Sequence, residues 1–98
     1  MKDIDIILVD NYLRFYGSIN FNNLVYVLNF YFKKSEPFNV INLDFLYLSS
    51  INSSVLIFVL NCIRKSKKKN QFVKFLNVPK FLVELSKVCS LSKMINKV

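Results

Sequence analysis

The chain has no histidine, no alanine, no threonine and a single glycine, and these shortages remove whole classes of function. Without histidine, and with Cys62 and Cys89 far apart and outside any CxxC pair, zinc has no recognisable ligand set and a disulfide framework has no support. The two cysteines are expected to be ordinary core thiols. One glycine cannot build a glycine-rich phosphate loop, and no carboxylate pair stands at a recognisable spacing, so no catalytic residue and no cofactor is expected. No apolar run reaches the roughly 18 to 20 residues that a membrane-spanning helix needs. The longest, Val55 to Leu60, stops at Asn61 and is soon followed by Arg64. Met1-Lys2-Asp3-Ile4-Asp5 carries early acids and no small-residue cleavage site, which argues against a secretory signal. A soluble domain in the cytoplasm is expected.

What the chain does have is apolar content. Of its 98 residues 53% are hydrophobic and 20% charged, enough to offset chain entropy and too few residues for two cores, so residues 1–98 read as a single domain. The formal charge of +8 raises three anionic partners: nucleic acid, a membrane surface, or an acidic protein. Abundant Lys, Asn, Ile, Phe and Tyr, with no Ala or Thr, is also what AT-biased coding produces, so part of the basicity has a compositional cause. Nucleic acid is not an expected partner.

Residues 4–9 and 12–16 read as two short strands around the turn pair Asp10-Asn11. Gly17 is expected to end the second strand, and Ser18 or Asn20 to cap a helix from about Phe21 to Lys34. Its buried stripe is Leu24, Val27, Leu28 and Tyr31, at i, i+3, i+4 and i+7. Lys33 and Lys34 suit its C-terminal dipole, and Glu36-Pro37 stops it. Residues 38–44 form the third strand, with Ile41, Leu43 and then Phe45 on one side. A second helix should run from about Ser53 to Lys68, with Leu56, Val59, Leu60 and Ile63 as one apolar stripe and Val55, Phe58 and Cys62 as another. A helix start apolar nearly all round is buried on two sides or leaves a surface for a partner. In so small a domain the partner surface is the expectation. Residues 71–76 read as a fourth strand, and Val78-Pro79 opens a last helix whose stripe is Leu82, Leu85, Val88 and Cys89. Residues 91–95 suggest one more short turn or helix, and 96–98 a frayed end.

The order strand, strand, helix, strand, helix, strand, helix specifies a small α/β domain with a mainly parallel sheet of four to five strands, about four helices and right-handed crossovers. Its pivotal junction is Asp44 to Leu56, where a strand stops and a helix begins behind the small polar run Asn52-Ser53-Ser54.

That junction resembles the signature of STAS domains, a family that includes bacterial anti-sigma factor antagonists and the small cytoplasmic subunit of the Mla phospholipid-transport system. The family pattern is a strand ending in Asp, then a short link to Ile-Asp-Ser/Thr-Ser/Ala-Gly-Leu. Asp44, Ile51, Ser53, Ser54 and Leu56 match it, while Asn52 replaces the second Asp and Val55 replaces the Gly. Leu13-Arg14-Phe15-Tyr16-Gly17, the stretch from Phe72 to Pro79, and the leucine-rich end near Leu82, Leu85 and Leu91 extend the resemblance over nearly the full chain.

The resemblance implies a non-enzymatic accessory subunit that binds and stabilises the cytoplasmic ATPase of an ABC-type phospholipid transporter. Such a subunit associates with the membrane through its complex and is not inserted in it. The alternative it implies is an anti-sigma factor antagonist that binds a kinase partner and is regulated by phosphorylation at Ser53. Asn52, Ser53, Ser54, Val55 and Phe58 are the expected partner interface, with Asp44 as the strand-end motif residue. Asn52 and Val55 shift the expectation from phosphoswitch toward docking surface. In the bland reading Asn52, Ser53 and Ser54 only cap the helix.

Overall fold

The structure is a computed structural model that describes residues 3–88, with side chains described as far as Glu84. It contains β1 (Ile4–Val9), β2 (Tyr12–Ser18), α1 (Leu24–Lys34), β3 (Val40–Asp44), β4 (Leu48–Ser50), α2 (Ser53–Lys68), β5 (Phe72–Leu76) and α3 (Lys80–Val88). The sheet runs β1-β2-β3-β5, and β4 pairs with β2 beyond the end of β3.

The sheet is mixed. β1 and β2 form an antiparallel hairpin with Val9 opposite Tyr12, as the two-residue turn requires, and Asp10 takes the left-handed conformation at φ 53°. The pairings β2 with β3, β2 with β4, and β3 with β5 are all parallel, as helical crossovers demand. Among the described residues there are three helices; the expected turn at 91–95, Cys89 and the frayed end lie outside them.

Gly17 does not end β2 but lies within it, opposite Ile4. Its φ of +115° is the glycine-favouring region, and a Cβ there would stand 2.4 Å from the Asp3 carbonyl oxygen. The close approach lets β2 continue and hand its pairing from β3 to β4. Helix α1 starts three residues later than its apolar spacing predicts. Asn20 Oδ1 accepts from the N–H groups of Asn22 and Asn23, Asn23 Oδ1 accepts from Asn20 N, and this local turn displaces the first helical turn.

All three helices pack on one face of the sheet. Alternation sends Leu13, Phe15, Ile41, Leu43, Phe45 and Phe75 into one cluster with Val27 and Tyr31 of α1, Val55, Phe58, Val59 and Cys62 of α2, and Leu82 of α3. An aromatic chain runs through it: Phe75 to Phe45 (6.1 Å), Phe45 to Phe15 (5.6 Å), Phe15 to Phe58 (5.4 Å) and Phe58 to Tyr31 (5.9 Å). The two pairs made by Phe58 are edge-to-face, and such pairs add roughly 0.5–1.5 kcal/mol each beyond area burial. The opposite sheet face, carrying Ile7, Val9, Tyr12, Arg14, Lys74 and Phe72, has no helix on it among the described residues.

Helix α2 lies between its two neighbours, packed on α1, α3 and β5. Two-sided burial is therefore supplied internally, and the expected hydrophobic partner surface is corrected. The buried positions combine the two apolar stripes (Val55, Phe58, Val59, Cys62 and Ile63), while Leu56 and Leu60 are half-buried at the margins.

Candidate partner-binding surface at the start of the second helix

The chain from β3 to α2 is built by short-range polar pins. Asp44, at the end of β3, is buried, and its carboxylate accepts from Leu46 N (3.0 Å) and Asn77 Nδ2 (2.9 Å), with Arg14 Nε 3.6 Å away. It ties the tips of β2, β3 and β5 together and contacts no residue of α2 among its described bonds. Its role here is positional. Beyond it, Leu48 N donates to Phe45 O and Gly17 N to Tyr47 O, which launches β4; Tyr47 stacks on Tyr16 at 4.9 Å with rings 13° apart.

Asn52 is the N-cap of α2. Its backbone is extended (φ −148°), and Oδ1 accepts from Ser54 N at 2.8 Å, satisfying one donor of the open first turn. Nδ2 donates to the carbonyl of Ile19 at 3.1 Å, 33 positions away. Both ends of the amide are used, one as acceptor and one as donor. A carboxylate could serve only the first. An asparagine and not an aspartate is therefore required here: it staples the start of α2 to the loop leading into α1.

The five expected interface residues divide. Ser53, the first helical residue, is exposed, and Asn52 is half-buried. Ser54 is buried behind the cap, and Val55 and Phe58 are fully buried in the core. Val55 and Phe58 are therefore corrected from partner contacts to packing residues, because the helical period turns both inward against Phe15, Tyr31 and the sheet. Val55 shows that the glycine of the family pattern is not needed for close packing at this place.

The surface around Ser53 is completed by residues the sequence reading did not single out. Phe21 is 84% exposed and lies two residues beyond the carbonyl that Asn52 holds. Ile57, one turn after Ser53 on the same helical face, is 42% exposed. The 19 residues from Phe45 to Ile63 contain no charged side chain, so α2 itself brings no ionic group to this surface before Arg64. Phe21 escaped notice because it sits at a helical spacing from Leu24, which implies burial if the helix had started there. The signal that could have found it is the asparagine run, whose side chains compete with the helix for backbone donors.

The arrangement has no metal cluster among the described residues, and its exposed nucleophile is a serine hydroxyl. Cys62 and Tyr31 are buried away from it, toward the end of the core where Lys65 and Ser35 lie. Burial pushes the Cys62 thiol well above its ordinary value and pushes the Tyr31 hydroxyl up as well, so both stay neutral. Chemically, the site offers a hydroxyl at a helix N-terminus beside apolar side chains.

No family model matches the sequence, and no curated protein matches it. Among solved structures the chain is similar to the anti-sigma factor antagonist SpoIIAA in its unphosphorylated form. The TM-score is 0.71 at 15% identity, over 94% of this chain and 84% of that one. The chain therefore shares the fold of that protein over nearly its whole length.

Proposed function

We propose that this chain is a non-enzymatic regulatory domain that binds a protein partner through the surface formed by Asn52, Ser53, Phe21 and Ile57. The observation that carries the reading is the exposed Ser53 hydroxyl at the first position of α2, next to the cap Asn52 that ties this helix start to the Ile19 carbonyl of the loop carrying the exposed Phe21. Unpaired N–H groups and the helix dipole favour an anion there, so a phosphate on Ser53 would leave the fold intact and act on the partner contact alone. In this form the domain is an anti-sigma-antagonist type switch whose partner is a kinase. The fold likeness supports it.

A second reading keeps the same surface and dispenses with the switch: an accessory subunit that stabilises the ATPase of an ABC-type phospholipid transporter. It is favoured by Asn52, which removes the family's carboxylate beside the serine. The test is co-expression of the full chain with a cognate serine kinase and, separately, with a cognate transporter ATPase. Capture of the kinase, abolished by Ser53→Glu and accompanied by phosphate mapped to Ser53, supports the switch. Capture of the ATPase, unaffected by Ser53→Ala but lost with Phe21→Ser, supports the subunit. Capture of neither overturns both.

A further inference from the structure

Fourteen cationic side chains against six acids could be scattered over the surface if composition alone set them. The fold gathers half of the cations at one end. Lys33 and Lys34 close α1, and Arg64, Lys65, Lys67, Lys68 and Lys69 close α2. The two helix ends are fastened side by side: Lys65 Nζ donates to Phe32 O (3.0 Å) and Ser35 Oγ (3.3 Å), and Gln71 Nε2 donates to Ser35 O (2.7 Å) and Phe38 O (2.8 Å). Glu36 pairs with both Lys65 and Lys69, whose ammonium groups, Lys69 foremost, hold its carboxyl below the usual carboxylate range. Asp10, in the β1–β2 turn, is the other acid at this end, since Asn11 Nδ2 donates to Val40 O at the start of β3. Seven cations thus face two acids. Lys33, Lys34, Arg64, Lys67 and Lys68 make no ion pair among the described residues, and all six acidic residues of the chain are described. Helix dipoles explain a few of these charges, not seven.

Apolar side chains border the same end. Phe72 begins β5 directly after the basic run and is 67% exposed, and Val9, at the hairpin turn, is 58% exposed. We infer that this end adsorbs onto an anionic lipid bilayer, with the lysines over the headgroups and Phe72 in the interface. The charges form an end cap and not a track, and lysine outnumbers arginine within it. A flat anionic surface fits an end cap better than a strand of nucleic acid does. The inference rests on neither reading of the Ser53 surface, which uses the opposite ends of α1 and α2.

Sedimentation of the full chain with phosphatidylcholine vesicles containing 30% phosphatidylglycerol tests it. Binding is expected in low salt and is expected to weaken as salt is raised. It should fall about fivefold for each cation removed, hence roughly 25-fold for Lys67→Gln with Lys68→Gln, whose exposed side chains leave folding unchanged by circular dichroism. Phe72→Ser should lower it a further tenfold or so. Ser53→Glu should leave it unchanged. Equal binding to pure phosphatidylcholine, no binding to the anionic vesicles, or tighter binding to poly(U) than to vesicles at equal phosphate concentration would each overturn the inference.

Discussion

Replacing Asn52 by Asp makes an isosteric change that exchanges one donor for one acceptor, and the structure gives it a sign. Asn52 Oδ1 caps Ser54 N while Nδ2 holds the Ile19 carbonyl. Asn52→Ala loses both bonds. The cap contributes about 1 kcal/mol and the bond to Ile19 about 1 kcal/mol, so the loss is roughly 2 kcal/mol. In a domain of this size that lowers Tm by roughly 8 to 16 °C. Asn52→Asp keeps the cap and gains about 0.3–1 kcal/mol from the helix dipole, but it loses the Ile19 bond and sets a carboxylate against a carbonyl oxygen. The net expectation is a loss of roughly 0.5–1 kcal/mol at pH 7. Protonation restores a donor, so the deficit should shrink in acid: the Ile19 contact favours the protonated form, and stability is present below the carboxyl's pKa and lost as pH rises through it. The chain has no tryptophan, so urea unfolding followed by far-UV circular dichroism is the assay. An Asn52→Asp protein as stable as the parent at pH 7 would refute the argument that Ile19 explains the asparagine.

Phe58→Ala, at the junction of the aromatic chain, should cost about 4 kcal/mol, and the reading of Phe58 as core fails if urea unfolding registers less than about 1 kcal/mol. Gly17→Ala meets both a disfavoured φ and the Asp3 carbonyl, so a loss of roughly 3 kcal/mol or more is expected in the same assay. The Tyr31 hydroxyl is buried with no well-formed hydrogen bond among the described residues, Ser35 being its nearest polar neighbour, so Tyr31→Phe should change stability by no more than about 1 kcal/mol; a larger loss would show that the contact with Ser35 is a real bond. Because burial raises both Cys62 and Tyr31, the unfolded chain sheds protons that the folded chain keeps. Stability should therefore decline as pH rises past about 8.5 and further past about 10, and Tyr31→Phe should flatten the second part of that decline in a pH series of melts.

The legible parts of the fold were those with short-range causes. The hairpin followed from Asp10-Asn11, the stop of α1 from Glu36-Pro37, and the start of α2 at Ser53 from the capping run before it, all within a residue or two. β4 went unread as a strand because three residues with a single half-buried side chain carry no periodic signal. At the candidate site, Ser53 was legible as an exposed hydroxyl at a helix start, whereas Phe21 was not, because its exposure depends on where the asparagine turn lets α1 begin.

The sequence by itself determined the order of elements, the buried stripe of α1 through Leu24, Val27 and Tyr31, and the capping chemistry at Asn52, since each depends on neighbours within about one helical turn. It could not decide which side of α2 faces inward. A helix apolar nearly all round has no preferred face until its neighbours are placed, and α1, α3 and the sheet took Val55 and Phe58 into the core. Tertiary structure alone made Asn52 a staple to Ile19 and brought Lys65 and Lys69 of α2 onto Glu36, just past the basic end of α1, because contacts between residues some thirty positions apart leave no local pattern to read.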